Sequence, residues 1–544
     1  MRTTVAAGLA ALLFSTSALA QTAADFSADR VKADVTWLAD DAREGRDAGK
    51  PGYDAAAKYV ADRFAELGLT PANNGQWYQQ VPFVTVGADK SAPRRLTIGG
   101  KPFAHKADVM VNAYGTGAQS LTTDTVFVGR GIVDPARGFD DYAGLDVKGK
   151  TVVLFYGVPK GVPSDVAAAL NNRKSKIAEE HGAVGVITIL DSETAKRFPW
   201  DEIAHQGDEP FMSWATETGA PYRNAAGIKA SGLVRGAAAQ ALFAGAPQSY
   251  AQVLAAVDKG GSVKGFALKP KLSFEATMTA NRFDSPNVVA MIPGSDPALK
   301  GEAVLLMAHL DHVGVDPEAK GDDKIFNGAM DNAAGVATML EAARAFAKSN
   351  PKPKRTILFA AVTAEEDGLL GSQYLAKHPL PGVKVTSVVN LDMPVLLYDF
   401  TDVVAFGAEH STMGPIVEKA TADMGIKLSP DPMPEEGLFT RSDHYRFVTE
   451  GVPSVFLVTG FANGGEKAFK DFLATNYHKP SDQVTLPFNW NAGAKFARVN
   501  YNIARALADA PEAPRWYADS TFGQLYAADA PKAQRPAGAP APAK

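Results

Sequence analysis

The sequence predicts an α/β protein built on a mixed, mostly parallel twisted sheet flanked by helices, and three observations predict it. Short apolar runs at Val288–Ile292, Ala303–Ala308, Thr356–Val362, Val388–Leu391 and Ser454–Val458 are separated by segments with room for helical crossovers. The runs are apolar throughout rather than alternating, as in strands covered on both faces. Polar residues gather just after their C-terminal ends, where open α/β sheets hold ligands.

Composition sets the outer limits. The chain has 544 residues, 46% hydrophobic and 21% charged, which is an ordinary globular balance with room for two to four domains. Its net charge of −5, from 55 basic and 60 acidic side chains, excludes a bulk electrostatic grip on nucleic acid or anionic lipid. There is no cysteine, so disulfides, thiolate metal sites and cysteine nucleophiles are excluded. Any metal must be held by Asp, Glu and the nine histidines.

In chain order, residues 1–20 predict a secretory signal peptide. Arg2 precedes the apolar stretch Val5 to Phe14, and Ala18-Leu19-Ala20 makes a small-x-small cleavage site. Export to the periplasm or beyond is expected, and no later segment reads as a membrane span. Asp54 to Leu67 carries Val60, Phe64 and Leu67 at helical spacing, with Gly68 as its stop. Residues 105–275 have their own rhythm, with strands at Thr151–Tyr156 and Val184–Leu190 around a helix from Val166 to His181. A helix over 332–348 should present Val336, Leu340, Ala343 and Ala347 on one side. The segment 516–544, rich in Ala, Pro and Gln, is expected to be a flexible tail.

The chemistry lies after the strands. One run leads into His309-Leu-Asp311-His312, and the loop Asn327-Gly-Ala-Met-Asp331-Asn332 opens the next helix. Further runs end in Ala364-Glu365-Glu366-Asp367 and in Asp392, and Asn476-Tyr477-His478-Lys-Pro-Ser-Asp482 follows far downstream. Singly, a strand-end Asp is a cap or turn former. Together, histidines and carboxylates converging from separate strand ends suit a borderline-soft divalent ion such as Zn²⁺ without thiolates. A carboxylate can bridge two such ions, which then share and acidify a water.

The motifs Met307-Ala-His-Leu-Asp-His312, Asn327 to Gly335, Ala364-Glu-Glu-Asp-Gly-Leu-Leu-Gly-Ser372, Asn390-Leu-Asp392 and Tyr477 to Asp482 resemble the co-catalytic zinc aminopeptidases. That family also includes glutamate carboxypeptidase II and the transferrin receptor. The likeness covers about 287–505, together with Leu38 to Arg46. Residues 105–275 resemble the β-rich protease-associated domain inserted in many members, through Tyr142 to Lys150. The resemblance implies a zinc exopeptidase-like fold over 21–104 and 276–515. It also implies two Zn²⁺ per chain, with Asp331 bridging, His309 and Asp392 on one ion, and Glu366 and His478 on the other. Glu365 would be the general base and Tyr477 an oxyanion donor. Asp311, two residues past His309, would orient its imidazole.

Other residues carry plainer readings. His312 is expected to be structural or lining, Glu435-Glu436 a solvated pair, and Ser442-Asp443-His444 no triad, since triad members meet in space. Asp443, Phe439, Tyr445 and Phe461 are candidate pocket residues. His105, His181, His205, His378 and His410 match no metal motif and are expected at the surface or in packing.

The expected function is an exported two-zinc metallopeptidase that removes the N-terminal residue of peptides. It would act as a monomer or homodimer, with no nucleic-acid partner. The alternatives are a carboxypeptidase or dipeptidase on the same scaffold, with Arg441 or Arg446 taking a C-terminal carboxylate, a one-zinc glutaminyl cyclase, or a non-catalytic binding protein. The intact ligand set speaks against the last two.

Overall fold

The computed structural model describes residues 25–207 and 209–537, so the signal peptide expected at 1–20 lies outside the described residues. Seven strands organise the site: β1 (Tyr78–Ala88), β2 (Phe266–Ile292), β3 (Glu302–His309), β4 (Thr356–Val362), β5 (Lys384–Leu391), β6 (Asp402–Phe406) and β7 (Ser454–Thr459). Four of them run parallel, in the spatial order β4, β3, β5, β7. The end of β2, Val288–Ile292, lies antiparallel along β4, and β6 lies antiparallel along β7, so the sheet is mixed. Along β3, Val304, Leu306 and Ala308 enter one core while Ala303, Leu305 and Met307 enter another. That two-sided burial is why these runs read as continuously apolar.

Five helices matter here: α1 (Ala28–Leu38), α2 (Pro51–Glu66), α3 (Ser164–Glu180), α4 (Ala334–Lys348) and α5 (Trp490–Asp509). After α2, Gly68 takes φ +72 while its N–H and that of Leu69 close onto Ala65 and Phe64. A left-handed glycine ends the helix there, as expected. In α4, Val336, Leu340 and Ala343 are buried and Ala347 is half-buried, but burial runs almost all round from Ala334 to Phe346. The helix lies between the sheet and α1 and α5, which cover its other faces. Its buried Glu341 accepts bonds from the Arg30 guanidinium at 2.5 and 2.9 Å and from the Ser27 N–H at 2.8 Å.

The inserted domain has its own core, which includes Leu96, Phe127, Val153, Ile187, Leu242 and Phe274. Parallel strands Thr151–Phe155, Gly185–Ile189 and Ala230–Val234 form its centre, with α3 as the crossover between the first two. Its limits are wider than the expected 105–275. Val84, Val86 and Ile98 belong to this core on one side and Ala276 and Met278 on the other. The cause is β2, a strand of 27 residues. Its first half pairs with Gly117–Phe127 and its second with β1, so one sheet runs through both cores without a linker.

The expectation of a flexible tail over 516–544 is corrected for its first two-thirds. Trp516, Tyr517 and Phe522 are at most 2% exposed, and Thr521–Tyr526 is helical. Averaging over the whole segment hid the clustering of its aromatic residues at the start, where they supply enough apolar surface to dock. No helix among the described residues is long and apolar enough to cross a membrane.

Phe522→Ala in the full chain should lower unfolding free energy by about 3 kcal/mol, read from the denaturant midpoint. A flexible segment would give no change.

Candidate active site

Three adjacent parallel strands deliver the central residues. β3 ends at His309, β4 ends at Val362 and leads through Thr363 and Ala364 to Glu365 and Glu366, and β5 ends one residue before Asp392. Asp331 comes from the loop before α4, and its peptide bond to Asn332 is cis. His478 comes from the turn following the helix Gly465–Thr475.

The five residues anticipated as metal ligands meet around Asp331. Its Oδ1 lies 3.2 Å from His309 Nε2, and Asp392 Oδ1 is also 3.2 Å from that nitrogen. Its Oδ2 lies 3.2 Å from His478 Nε2, and Glu366 Oε2 is 3.0 Å from that nitrogen. Two ligands about 2 Å from a common ion, at a near-tetrahedral angle, are separated by roughly 3.2 Å. The donor set therefore fits a pair of divalent ions, with His309 and Asp392 on one side, Glu366 and His478 on the other, and Asp331 between them.

Local folding holds each of these residues. Asp482 accepts the backbone N–H groups of Met330 at 2.9 Å and Asp331 at 3.0 Å, fixing the Asp331 loop. Asn332 donates to the Leu391 carbonyl at 3.1 Å and accepts from the Gly335 and Met393 N–H groups, tying that loop to the end of β5. Ser442 donates to Asp392 Oδ2 at 2.5 Å and accepts from Asn390 at 2.7 Å. Beneath them Arg46, 1% exposed, donates to the carbonyls of Leu38, Leu310, Asn327 and Gly328 at 2.6–2.9 Å. Burial lowers this guanidinium to about 10, against the pull of Asp482, Asp311, Asp331 and Glu366.

Asp311 differs in detail from its expected part. Its backbone carbonyl takes the 3.2 Å contact from His309 Nδ1, while its carboxylate Oδ1 stands at 4.0 Å. Its Oδ2 accepts the Glu366 N–H at 3.2 Å, so it braces the Glu pair as well as the imidazole. His312, expected to be structural or lining, contacts Glu366 Oε1 through Nδ1 at 2.6 Å and leaves Oε2 to face His478. Tyr477 stacks on His478 with centroids 3.9 Å apart. Burial raises its phenol, and Asp331, Glu366, Glu365 and Asp392 add to the rise.

The candidate pocket residues separate. Asp443 is fully buried, its carboxyl pushed up to about 6 by burial, and its charge acts on Glu365. Phe439 and Tyr445 are corrected from pocket walls to core. Phe439 is 1% exposed and packs against His410, His444 and Phe522, while the Tyr445 hydroxyl bonds that of Tyr526 at 3.0 Å. Phe461 is half-buried against Phe469.

Sequence reasoning assigned no role to Arg46, Asp482, Ser442 or Asn332. Each stood inside or beside a motif already noticed, but a bond from a side chain to a distant carbonyl or N–H leaves no periodic trace in a sequence.

Without ions, protons hold this cluster together. Burial opposes charge on His309, but Asp392, Glu365 and Asp331 outweigh it and raise its pKa well above the ordinary value. Burial likewise opposes charge on His478, yet bonds to Asp331 and Glu366 raise it from 6.5 to about 10. Glu366 is lowered to about 2, the bonds from His312 and His478 overcoming burial and Asp331. Glu365 lacks such a partner. Burial raises it well above the carboxylate range, and Glu366, Asp392 and Asp443 outweigh His309. In the ion-free chain the His478 pairing contributes stability that is complete below about 6.5 and is lost as pH rises through about 10. Ligating histidines must shed those protons. Zinc titration of the ion-free chain should release protons at neutral pH, and affinity should rise with pH by about tenfold per unit for each proton released. Calorimetry in buffers of different ionisation enthalpy measures this; a proton count of zero would contradict it.

Comparison with known proteins bears on this geometry. Residues 287–504 match the model for Peptidase family M28. A "probable leucine aminopeptidase 2" of Aspergillus oryzae is 30% identical over 220 residues, covering 37% of this chain and 40% of that one. A "Probable zinc metalloprotease" of Pyrenophora teres f. teres is 42% identical over 108 residues, covering 20% of this chain and 22% of that one. The matches thus span two-fifths or less of these relatives' lengths. Among solved structures, an aminopeptidase from Aneurinibacillus sp. strain AM-1 aligns over 90% of this chain and 95% of its own, with 19% identity and a TM-score of 0.47. The zinc aminopeptidase BSAP of Bacillus subtilis aligns over 88% and 95%, with 17% identity and a TM-score of 0.42. The family match begins within β2, takes in β3 to β7 and contains every motif of the strand-end cluster. Residues 287–504, about two-fifths of the chain, are therefore similar to peptidase family M28.

Proposed function

We propose that the protein is an exported two-zinc aminopeptidase. The observation that carries this reading is Asp331, whose two oxygens face two histidines, each with a second carboxylate of its own. A pair of zinc ions held there would polarise the scissile carbonyl and acidify the attacking water. Asp331, His309, Asp392, Glu366 and His478 hold the pair.

Glu365 is the proton carrier. It is adjacent to a ligand yet makes no ion pair with either histidine facing Asp331, so its carboxylate is available to take the water's proton and pass it to the leaving amine. The high proton affinity given by its burial favours that transfer. Tyr477 donates its hydroxyl to the developing oxyanion, since a phenol kept neutral beside carboxylates is a donor. A free substrate amine is drawn by the surplus of carboxylates over cations, which restricts cleavage to the first residue. Export rests on Arg2, the apolar stretch Val5 to Phe14 and the Ala18-Leu19-Ala20 site.

One observation favours carboxypeptidase activity as a second reading. Arg446, half-buried, donates to the Gly368 carbonyl at 2.7 Å and acts electrostatically with Asp443 and Glu365. A guanidinium there would suit a C-terminal carboxylate. Arg441, the other candidate, is exposed and engages Glu436 at 3.4 Å instead.

A substrate panel separates the readings. Aminoacyl-anilides should be hydrolysed and N-blocked peptides left intact. Chelator should abolish turnover, and Glu365→Gln should lower kcat at least about 100-fold while retaining two zinc ions per chain. Release of the C-terminal residue from N-blocked peptides would overturn the aminopeptidase reading in favour of the second.

A further inference from the structure

A second group of ligating side chains gathers where the inserted domain meets the peptidase core. Asp165 stands in the first turn of α3, and Glu409 and His410 form the short 3-10 turn Ala408–His410 after β6. One ligand atom from each lies within 4.8 Å of the others. The strand-end cluster shares none of these residues.

An independent feature points into this group. His410 is 2% exposed, and its Nε2 has no hydrogen-bond partner. That nitrogen lies 3.6 Å from Glu409 Oε1, too far for a hydrogen bond, while Nδ1 lies 3.5 Å from Ser520 Oγ. Asp165 Oδ1 is likewise buried without a partner. A buried nitrogen and a buried carboxylate oxygen left unbonded, in one small group, are costly unless something is held between them.

The charge balance agrees. Glu409 and Asp431 both place their carboxylate charge on Asp165. Arg535, which acts on His410, bonds both Asp519 oxygens at 2.8 and 2.9 Å and donates to the Glu409 backbone carbonyl. The buried Nε2 of His410, bonded to nothing, is the nitrogen placed to offer a lone pair. A neutral imidazole with two carboxylates is a donor set for a divalent transition-metal ion. Bond lengths of about 2.0–2.2 Å at a near-tetrahedral angle would draw these donors, now within 4.8 Å of one another, to roughly 3.4 Å apart.

We propose that Asp165, Glu409 and His410 bind one divalent transition-metal ion, such as Mn²⁺ or Zn²⁺, which fastens the inserted domain to the peptidase core. The ion joins three separate parts of the chain. Asp165 brings the inserted domain, Glu409 and His410 bring the peptidase sheet, and Ser520 beside His410 brings the C-terminal segment.

Manganese titration of the chelator-stripped full chain tests this independently of the catalytic reading. By paramagnetic resonance, Asp165→Asn and Glu409→Gln should each bind one equivalent fewer than the unmodified chain, or bind that equivalent at least tenfold more weakly. Each variant should keep the cooperative thermal unfolding transition and far-ultraviolet dichroism of the unmodified chain, showing that it folds. Equal stoichiometry and affinity in all three chains would overturn the proposal. A measurement that needs no folded Asp165 or Glu409 variant uses Asp392→Asn, which breaks the catalytic pair. Adding Mn²⁺ to that chain should slow amide exchange in the first two turns of α3, and unchanged exchange there would equally overturn it.

Discussion

Seven carboxylates, from Asp311, Asp331, Glu365, Glu366, Asp392, Asp443 and Asp482, are buried or half-buried around the ends of three neighbouring strands. Their mutual repulsion in a region of low dielectric is the constraint that the rest of the structure answers. One answer is Arg46, buried beneath them and bonded to four carbonyls, so that a fixed positive charge also knits together the loops bearing the ligands. A second is the division of Asp331 between two histidines. A third is selective relief. Glu366 is paired by His312 and His478, whereas its neighbour Glu365 is left without an ion pair. Two adjacent glutamates thereby acquire opposite proton affinities, one suited to binding a cation and one to carrying a proton.

The convergence of the candidate ligands was legible in the sequence because strand ends carry a local signature. An apolar run followed at once by His, Glu or Asp marks both the element and the direction in which the side chain emerges. Asp331 and His478 come from loops, which lack that signature, and the sharing of ligands between two ions was implied only by the resemblance. The supporting residues were not legible in either way. Arg46 acts on residues more than 260 positions away in sequence, and Ser442 on Asp392 fifty positions earlier. Such pairings become apparent only once the sheet has assembled. Phe439 and Tyr445 failed for a related reason. Aromatics near a site serve equally well as wall or as core, and only burial tells which.

Domain limits were harder to read than the site. The rhythm of short strands predicted an inserted unit, but the 27-residue β2 crosses the expected boundary without any break in composition. Because that strand belongs to both cores, the insert is continuous with the peptidase sheet rather than hung from a linker. The docked residues Trp516, Tyr517 and Phe522 brace the same side of the molecule, against the turn that carries His410.

On the proposed reading, two ions on opposite sides of one shared carboxylate would relieve the charge of this cluster and make it chemically active. Anomalous diffraction at the zinc edge from crystals of the zinc-loaded chain tests that claim most directly. Two peaks about 3.5–4 Å apart, flanking Asp331, with His309 and Asp392 on one and Glu366 and His478 on the other, are the predicted result. A single peak, or two peaks that do not share Asp331, would contradict it.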